Sequence, residues 1–225
     1  MTAHTKLNRK AAFIDLLVVV AILVVVKQSF LPFSMVYAGP VSTFSAMAAA
    51  TYLLFRRGYS WADLGLKWPE SWWKTLGITA AVFAAFLATA GSASALADLM
   101  FEDVGTSGRF DFVTGNFDAY LLIMALVWTH GSFFEELLFR AFIITKSSDA
   151  LGGSRIASLI AVLLAAIFFG YRHYYYQGMH GAFVTGSIGL LFGLIYLKVG
   201  RQNILPLVLA HGLANSIAQT TRFLG

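Results

Sequence analysis

The stretch Ala125-Leu-Val-Trp-Thr-His-Gly-Ser-Phe-Phe-Glu-Glu-Leu-Leu-Phe-Arg-Ala-Phe-Ile-Ile144 sets two adjacent carboxylates, Glu135 and Glu136, and a guanidinium, Arg140, inside an apolar run. On an α-helix Glu136 and Arg140 lie one turn apart on one face and can pair, while Glu135 is rotated away and is free for another task. His130, five residues before Glu135, does not share that residue's α-helical face. Three ionisable groups in lipid are costly, so the stretch reads as a functional site. The plainer reading is a structural Glu-Arg pair with a second Glu at a helix end.

The whole chain supports the lipid setting. Of its 225 residues 58% are hydrophobic and 12% charged, with a mean hydropathy of +0.73, whereas soluble domains carry about a quarter charged residues. This is the composition of an all-α polytopic membrane protein. The net charge of +5 sits in short tracts between apolar segments, which reads as topology rather than nucleic-acid binding. With no cysteine, disulfides, thiol catalysis and cysteine metal clusters are excluded.

Working outward, the pattern predicts about seven transmembrane helices, at 11–26, 37–55, 76–100, 120–145, 156–178, 182–197 and 204–218, with an eighth possible near 101–118. The N-terminal tract with Lys6, Arg9 and Lys10 reads as the flank of a retained anchor. Trp61, Trp68, Trp72 and Trp73 suit an interfacial belt, and the Ala, Gly and Ser of the third span suit close packing. Segments placed inside hold 11 of the 16 Lys and Arg, which predicts a cytosolic N-terminus in the cell's inner, or cytoplasmic, membrane. One membrane domain, 1–225, is expected, with a helical core at 120–218.

Further polar groups stand in the later spans. His211 and Asn215 are four apart on one helical face, beside the small Gly212 and Ala214. His173 follows Phe169-Gly-Tyr-Arg, and His180 competes with it across the aromatic run Tyr174 to Tyr176. One carboxylate to activate water, a Glu-Arg pair to hold it, two histidines and an amide suit hydrolysis without a nucleophilic side chain. The same inventory permits a metal site of Glu135, His173 and His211, with zinc as the alternative cofactor to none. No HExxH or HxxEH occurs, so a zincin-like arrangement fails.

These motifs resemble the CPBP family, the CAAX-protease and bacteriocin-processing (Abi) family of glutamic-type intramembrane proteases. Its first motif corresponds to Glu135-Glu136-Leu-Leu-Phe-Arg140, its second to Phe169 through His173, and its third to His211 through Asn215. The resemblance implies that Glu135 is the catalytic base, that His173 and His211 assist, and that Asn215 contributes to the oxyanion site, with Glu136, Arg140 and Phe169 in support. It also implies cleavage of a membrane-associated or lipid-modified peptide or protein within or near the lipid bilayer, without nucleic acid. Arg172 and the neighbouring tyrosines depart from the family's small, apolar setting and keep His180 in play. An ion- or proton-coupled transporter and a non-catalytic membrane scaffold are the competing readings.

Overall fold

The computed structural model describes residues 8–101 and 108–225. Lys6 of the basic tract and residues 102–107 of the acidic loop, including the core of the possible eighth span, lie outside the described residues. Helix α1 spans Arg9–Phe30, α2 Ala38–Arg56 and α3 Trp72–Met100. Helix α4, Phe117–Trp128, runs through two π-helical stretches, Thr129–Phe134 and Glu136–Ile143, into α5, Ile144–Ala150. Helix α6 spans Arg155–Ile195, continues as the π-helical Tyr196–Gly200, and is followed by α7, Leu205–Leu224.

The helix starts follow local chemistry. Asn8, Ser71, Asn116 and Ser154 each accept a hydrogen bond from the backbone N–H three residues on, which satisfies one of the orphan donors of a first turn. Between α2 and α3, Ser60 and Asp63 cap a short 3₁₀ turn reciprocally. The turn ends at Gly65 (φ 104°). There the positive φ and the backbone of Gly200 pressed against the α-carbon both demand glycine. This loop docks on the C-terminal half through Ile204 N–H to Gly65 O (2.9 Å) and Tyr196 OH to Leu64 O (3.0 Å).

Five helical segments are long and apolar enough to cross a membrane: Arg9–Phe30, Ala38–Arg56, Trp72–Met100, Phe117–Ala150 and Arg155–Gly200. The protein is an all-α, multi-pass membrane protein with five candidate transmembrane helices, which corrects the expected seven or eight. One reason is that 156–178 and 182–197 fall within one candidate segment, Arg155–Gly200, as its two helical arms. It breaks at Gly178 (φ 62°, ψ −165°), a conformation that only glycine adopts readily, and folds back on itself. Gly186 then lies against Gly170, and a Cβ at Gly193 would stand 2.7 Å from Val162. The other reason is that α7 is diluted by His211, Asn215, Gln219, Thr220 and Arg222, so 204–218 is not among the five. The inside-outside alternation drawn through seven crossings loses its footing with them.

The segment Glu136–Ile143 is the centre of the molecule, with all eight residues buried. Leu137, Leu138, Phe139 and Phe142 share one apolar cluster with Phe169, Phe192, Tyr196 and Leu207. In a bilayer such packing is driven by dispersion between close-fitting side chains rather than by escape from water. Around it, Phe55, Leu99, Ile156 and Ile167 project outward. Trp68 and Trp73 are exposed, as an interfacial belt requires, but Trp61 turns in, donating to Thr51 Oγ1 (3.0 Å) and packing on Phe142.

A buried charge cluster ties one end of this bundle. Asp15 of α1 is fully buried and accepts from Arg57 beyond α2 (2.9 Å) and from Lys146 of α5 (3.1 Å). Removing one partner of a buried pair leaves the other charge without compensation, at a cost of roughly 3–5 kcal/mol. Asp15→Asn is expected to lower the thermal unfolding midpoint of the detergent-solubilised protein clearly. An unchanged midpoint would show that the cluster does not hold α1 to α5.

Candidate functional site

The first motif does not lie on a regular α-helix. From Thr129 the chain winds with i→i+5 geometry, and Ser132 Oγ donates to Val127 O, five residues back (2.9 Å), and to Trp128 O (3.2 Å). Residues five apart are thereby brought over one another. His130 Nδ1 stands 3.6 Å from Glu135 Oε1, although α-helical periodicity separates the two. His130 is the neighbour of Glu135 that sequence reasoning set aside. Its signal was the five-residue spacing, which has meaning only once the helix is known to widen.

The two glutamates have different surroundings. Glu136 is fully buried, with Oε2 3.2 Å from Arg140 Nε and Oε1 2.8 Å from His211 Nδ1. The expected Glu136-Arg140 contact is therefore present, joined by a histidine from α7 that sequence reasoning had grouped with Glu135. The Arg140 guanidinium makes no hydrogen bond among the described residues. Instead, it lies over Phe169 (4.3 Å to the ring centre) and Phe192 (5.5 Å), between a carboxylate and two ring faces. Glu135, 6% exposed, lines a cavity of about 550 Å³ that Glu136 does not reach.

The cavity gathers the remaining candidates. His173, His180, His211 and Asn215 all line it, together with Phe169 and His130. Phe169 is the hub: its ring meets those of His173 (4.7 Å) and His211 (6.3 Å), and its carbonyl lies 2.8 Å from His173 Nδ1. A carbonyl only accepts, so His173 carries a proton on Nδ1. Glu136, as a carboxylate, imposes the same tautomer on His211. Asn215 Nδ2 donates to Gly131 O (3.1 Å), linking α7 to the widened turn and leaving its second N–H uncommitted among the described residues.

His180 sits beyond the Gly178 break and pairs with Asp98 of α3 (2.8 Å), while His173 remains beside Phe169 and the other motifs. The missing side chain of Gly170 admits the returning arm, whose Ala182 carbonyl and Gly186 backbone pack against it. Among the described residues no three His, Asp or Glu side chains gather closely enough to hold a metal ion. Glu135, His173 and His211 share the cavity wall without forming a metal cradle.

Residues 117–217 match the family described as Type II CAAX prenyl endopeptidase Rce1-like. The match covers just under half of the chain, from the start of α4 through most of α7, and contains every one of the motif residues. Over that stretch the chain is similar to this protease-associated membrane family. No curated protein and no solved structure matches it.

Because Glu136 neutralises Arg140 and orients His211 at once, Glu136→Gln is expected to leave a buried cation unpaired and to destabilise the fold by roughly 3–5 kcal/mol. The measurement is the midpoint of thermal unfolding in detergent. A midpoint equal to the parent's would mean that ring faces alone hold Arg140.

Proposed function

We propose, from an Rce1-like region that contains the whole set of cavity-lining motif residues, that the protein is an intramembrane endopeptidase that hydrolyses a peptide bond with glutamate-activated water. The observation that carries this reading is the division between the glutamates: Glu136 is consumed by Arg140 and His211, while Glu135 faces the cavity beside two histidines and an amide. In the proposed reaction Glu135 takes a proton from water as its oxygen bonds to the peptide carbonyl carbon. The second N–H of Asn215 donates to the oxyanion. His211, once protonated on Nε2 and held by Glu136, is a further donor, as is His173 held by Phe169 O. Collapse of the intermediate breaks the C–N bond and returns the proton to the leaving amine.

The substrate is proposed to be a membrane-associated or lipid-modified peptide or protein, because the candidate base lies within a candidate membrane-crossing segment, Phe117–Ala150. The protein is placed by this reading in the cytoplasmic membrane, with its N-terminus in the cytosol. The N-terminal tract and the cations beside α1 and α2 support that orientation.

Glu135→Gln is expected to lower turnover by about 10²–10⁴-fold, the usual contribution of a positioned acid-base group, while keeping expression and substrate capture. The test is cleavage of candidate substrates carrying a terminal membrane segment or lipid by purified protein in vesicles. Parent-like turnover by Glu135→Gln would remove the base assignment, and ion-coupled uptake without cleavage by the parent would replace the protease reading with a transporter.

Zinc is the competing cofactor. Activity is expected to persist after thorough chelation, with less than about one metal per ten proteins by elemental analysis, since structural and catalytic zinc sites need three or four ligands together. Loss of activity on chelation and recovery only with zinc would move Glu135, His173 and His211 to ligand roles.

A further inference from the structure

Three cations line the same cavity, and each comes from a different part of the chain: Lys27 from α1, Arg109 from the segment before α4, and Arg172 from the first arm of α6. Lys27 and Arg172 are buried, at 4% and 6% exposure. Elsewhere the protein compensates its buried charges: Asp15 holds Arg57 and Lys146, and Glu136 holds Arg140. Among the described residues, Lys27, Arg109 and Arg172 are in no ion pair. Among the described residues Glu135 is the one carboxylate on the cavity wall, and its close partner is His130.

The three are nevertheless fixed in place by neutral groups. Arg172 donates to Leu23 O (2.6 Å), Ser42 Oγ (2.9 Å) and Thr43 Oγ1 (3.4 Å), and its own carbonyl accepts from Lys27 Nζ. Tyr175 is shared: Lys27 Nζ lies 3.7 Å from its ring centre and the Arg109 guanidinium 5.4 Å. Arg109 also donates to Val36 O (2.9 Å) and lies over Tyr176 (4.5 Å). Its Nε is buried and meets no acceptor among the described residues. Carbonyls, hydroxyls and ring faces orient a cation without cancelling its charge. In a low-dielectric cavity, like charges held together this way are unfavourable until an anion joins them.

We propose that Lys27, Arg109 and Arg172 form a carboxylate-binding subsite in this cavity, which selects peptides bearing a carboxylate. The inference rests on the endopeptidase reading for the word peptide, and on the cations for the word carboxylate. Both Nη atoms of Arg172 already donate to neutral acceptors, whereas the Arg109 Nε–H meets no acceptor among the described residues and Lys27 keeps N–H groups beyond the one given to the Arg172 carbonyl. Such donors suit the oxygens of a carboxylate, with Arg172 adding its charge beside them. Phe86, Ile123 and Ile188 on the same wall accommodate apolar side chains beside it.

The test uses the full-length Glu135→Gln protein in neutral phosphatidylcholine nanodiscs, so that binding is read without turnover. The probes are a pentapeptide of alanine and leucine carrying an uncharged BODIPY label as the free acid, the same peptide as the amide, and an amide carrying one internal aspartate. Fluorescence anisotropy is expected to give about tenfold tighter binding of the free acid or of the aspartate peptide than of the plain amide, as a charge-assisted hydrogen bond provides. Which of the two is favoured tells a chain terminus from a side chain. Added to that background, Lys27→Met and Arg109→Gln should each shrink the preference to within about twofold, and Arg109→Lys should retain part of it. If Lys27→Met does not yield monodisperse protein, Arg109→Gln decides.

Equal binding of acids and amide, or a preference untouched in Arg109→Gln, overturns the subsite. So does erasure of the preference by phosphatidylglycerol at constant ionic strength, which makes it a lipid headgroup site, or displacement by inorganic phosphate but not by acetate. Turnover by the parent protein is measured separately. Peptides bound with acid preference but never cleaved sink the endopeptidase reading and leave the subsite standing; peptides cleaved equally as acid and amide do the reverse.

Discussion

The buried carboxylate of Glu136, held between Arg140 one turn on and His211 seventy-five residues away, is the contact on which the rest of the site depends. A lone carboxylate or guanidinium at this depth would be strongly unfavourable, so the two must meet. Their meeting fixes how α7 sits against the centre of the bundle. Phe169 and Phe192 complete the arrangement by covering Arg140, and Phe169 also hands its carbonyl to His173. One apolar ring thus joins the first motif to the second, and one carboxylate joins the first to the third.

The widened helix is the second constraint. A π-turn exchanges one i→i+4 register for i→i+5 and so changes which side chains stack, at the expense of less favourable backbone packing. Here the exchange brings His130 to Glu135 while Glu136 and Arg140 remain in contact. The result separates two chemically identical neighbours. Glu136 becomes the carboxyl group held inside the core, and Glu135 the one that lines the cavity.

Charge is distributed unevenly for a physical reason. Asp15 and Glu136 each satisfy two basic groups, and both clusters lie where helices pack on helices. The cations around the cavity are oriented by carbonyls, hydroxyls and tyrosine rings instead. In the first case the charges are spent on holding the fold together; in the second they stay open to whatever enters.

Local periodicity and composition were enough to determine that the chain is helical and built for a membrane, and that Glu136 and Arg140 can pair, because these depend on side chains within one turn of each other. The polar residues of 135–215 were legible as one chemical set from their residue types and from motif spacings that resemble a known family. Their partnerships were not. The approach of His211 to Glu136 joins distant segments, and the shift to i→i+5 winding changes the backbone register without leaving a mark in the hydrophobic pattern. Span counting came to seven where the structure has five candidate segments: the two arms that meet at Gly178 lie within one of them, Arg155–Gly200, and α7, with its polar face turned inward onto the site, is not among them. Tertiary packing alone decided which glutamate faces the cavity and which histidine stands beside it, because both depend on how the helices are rotated against one another.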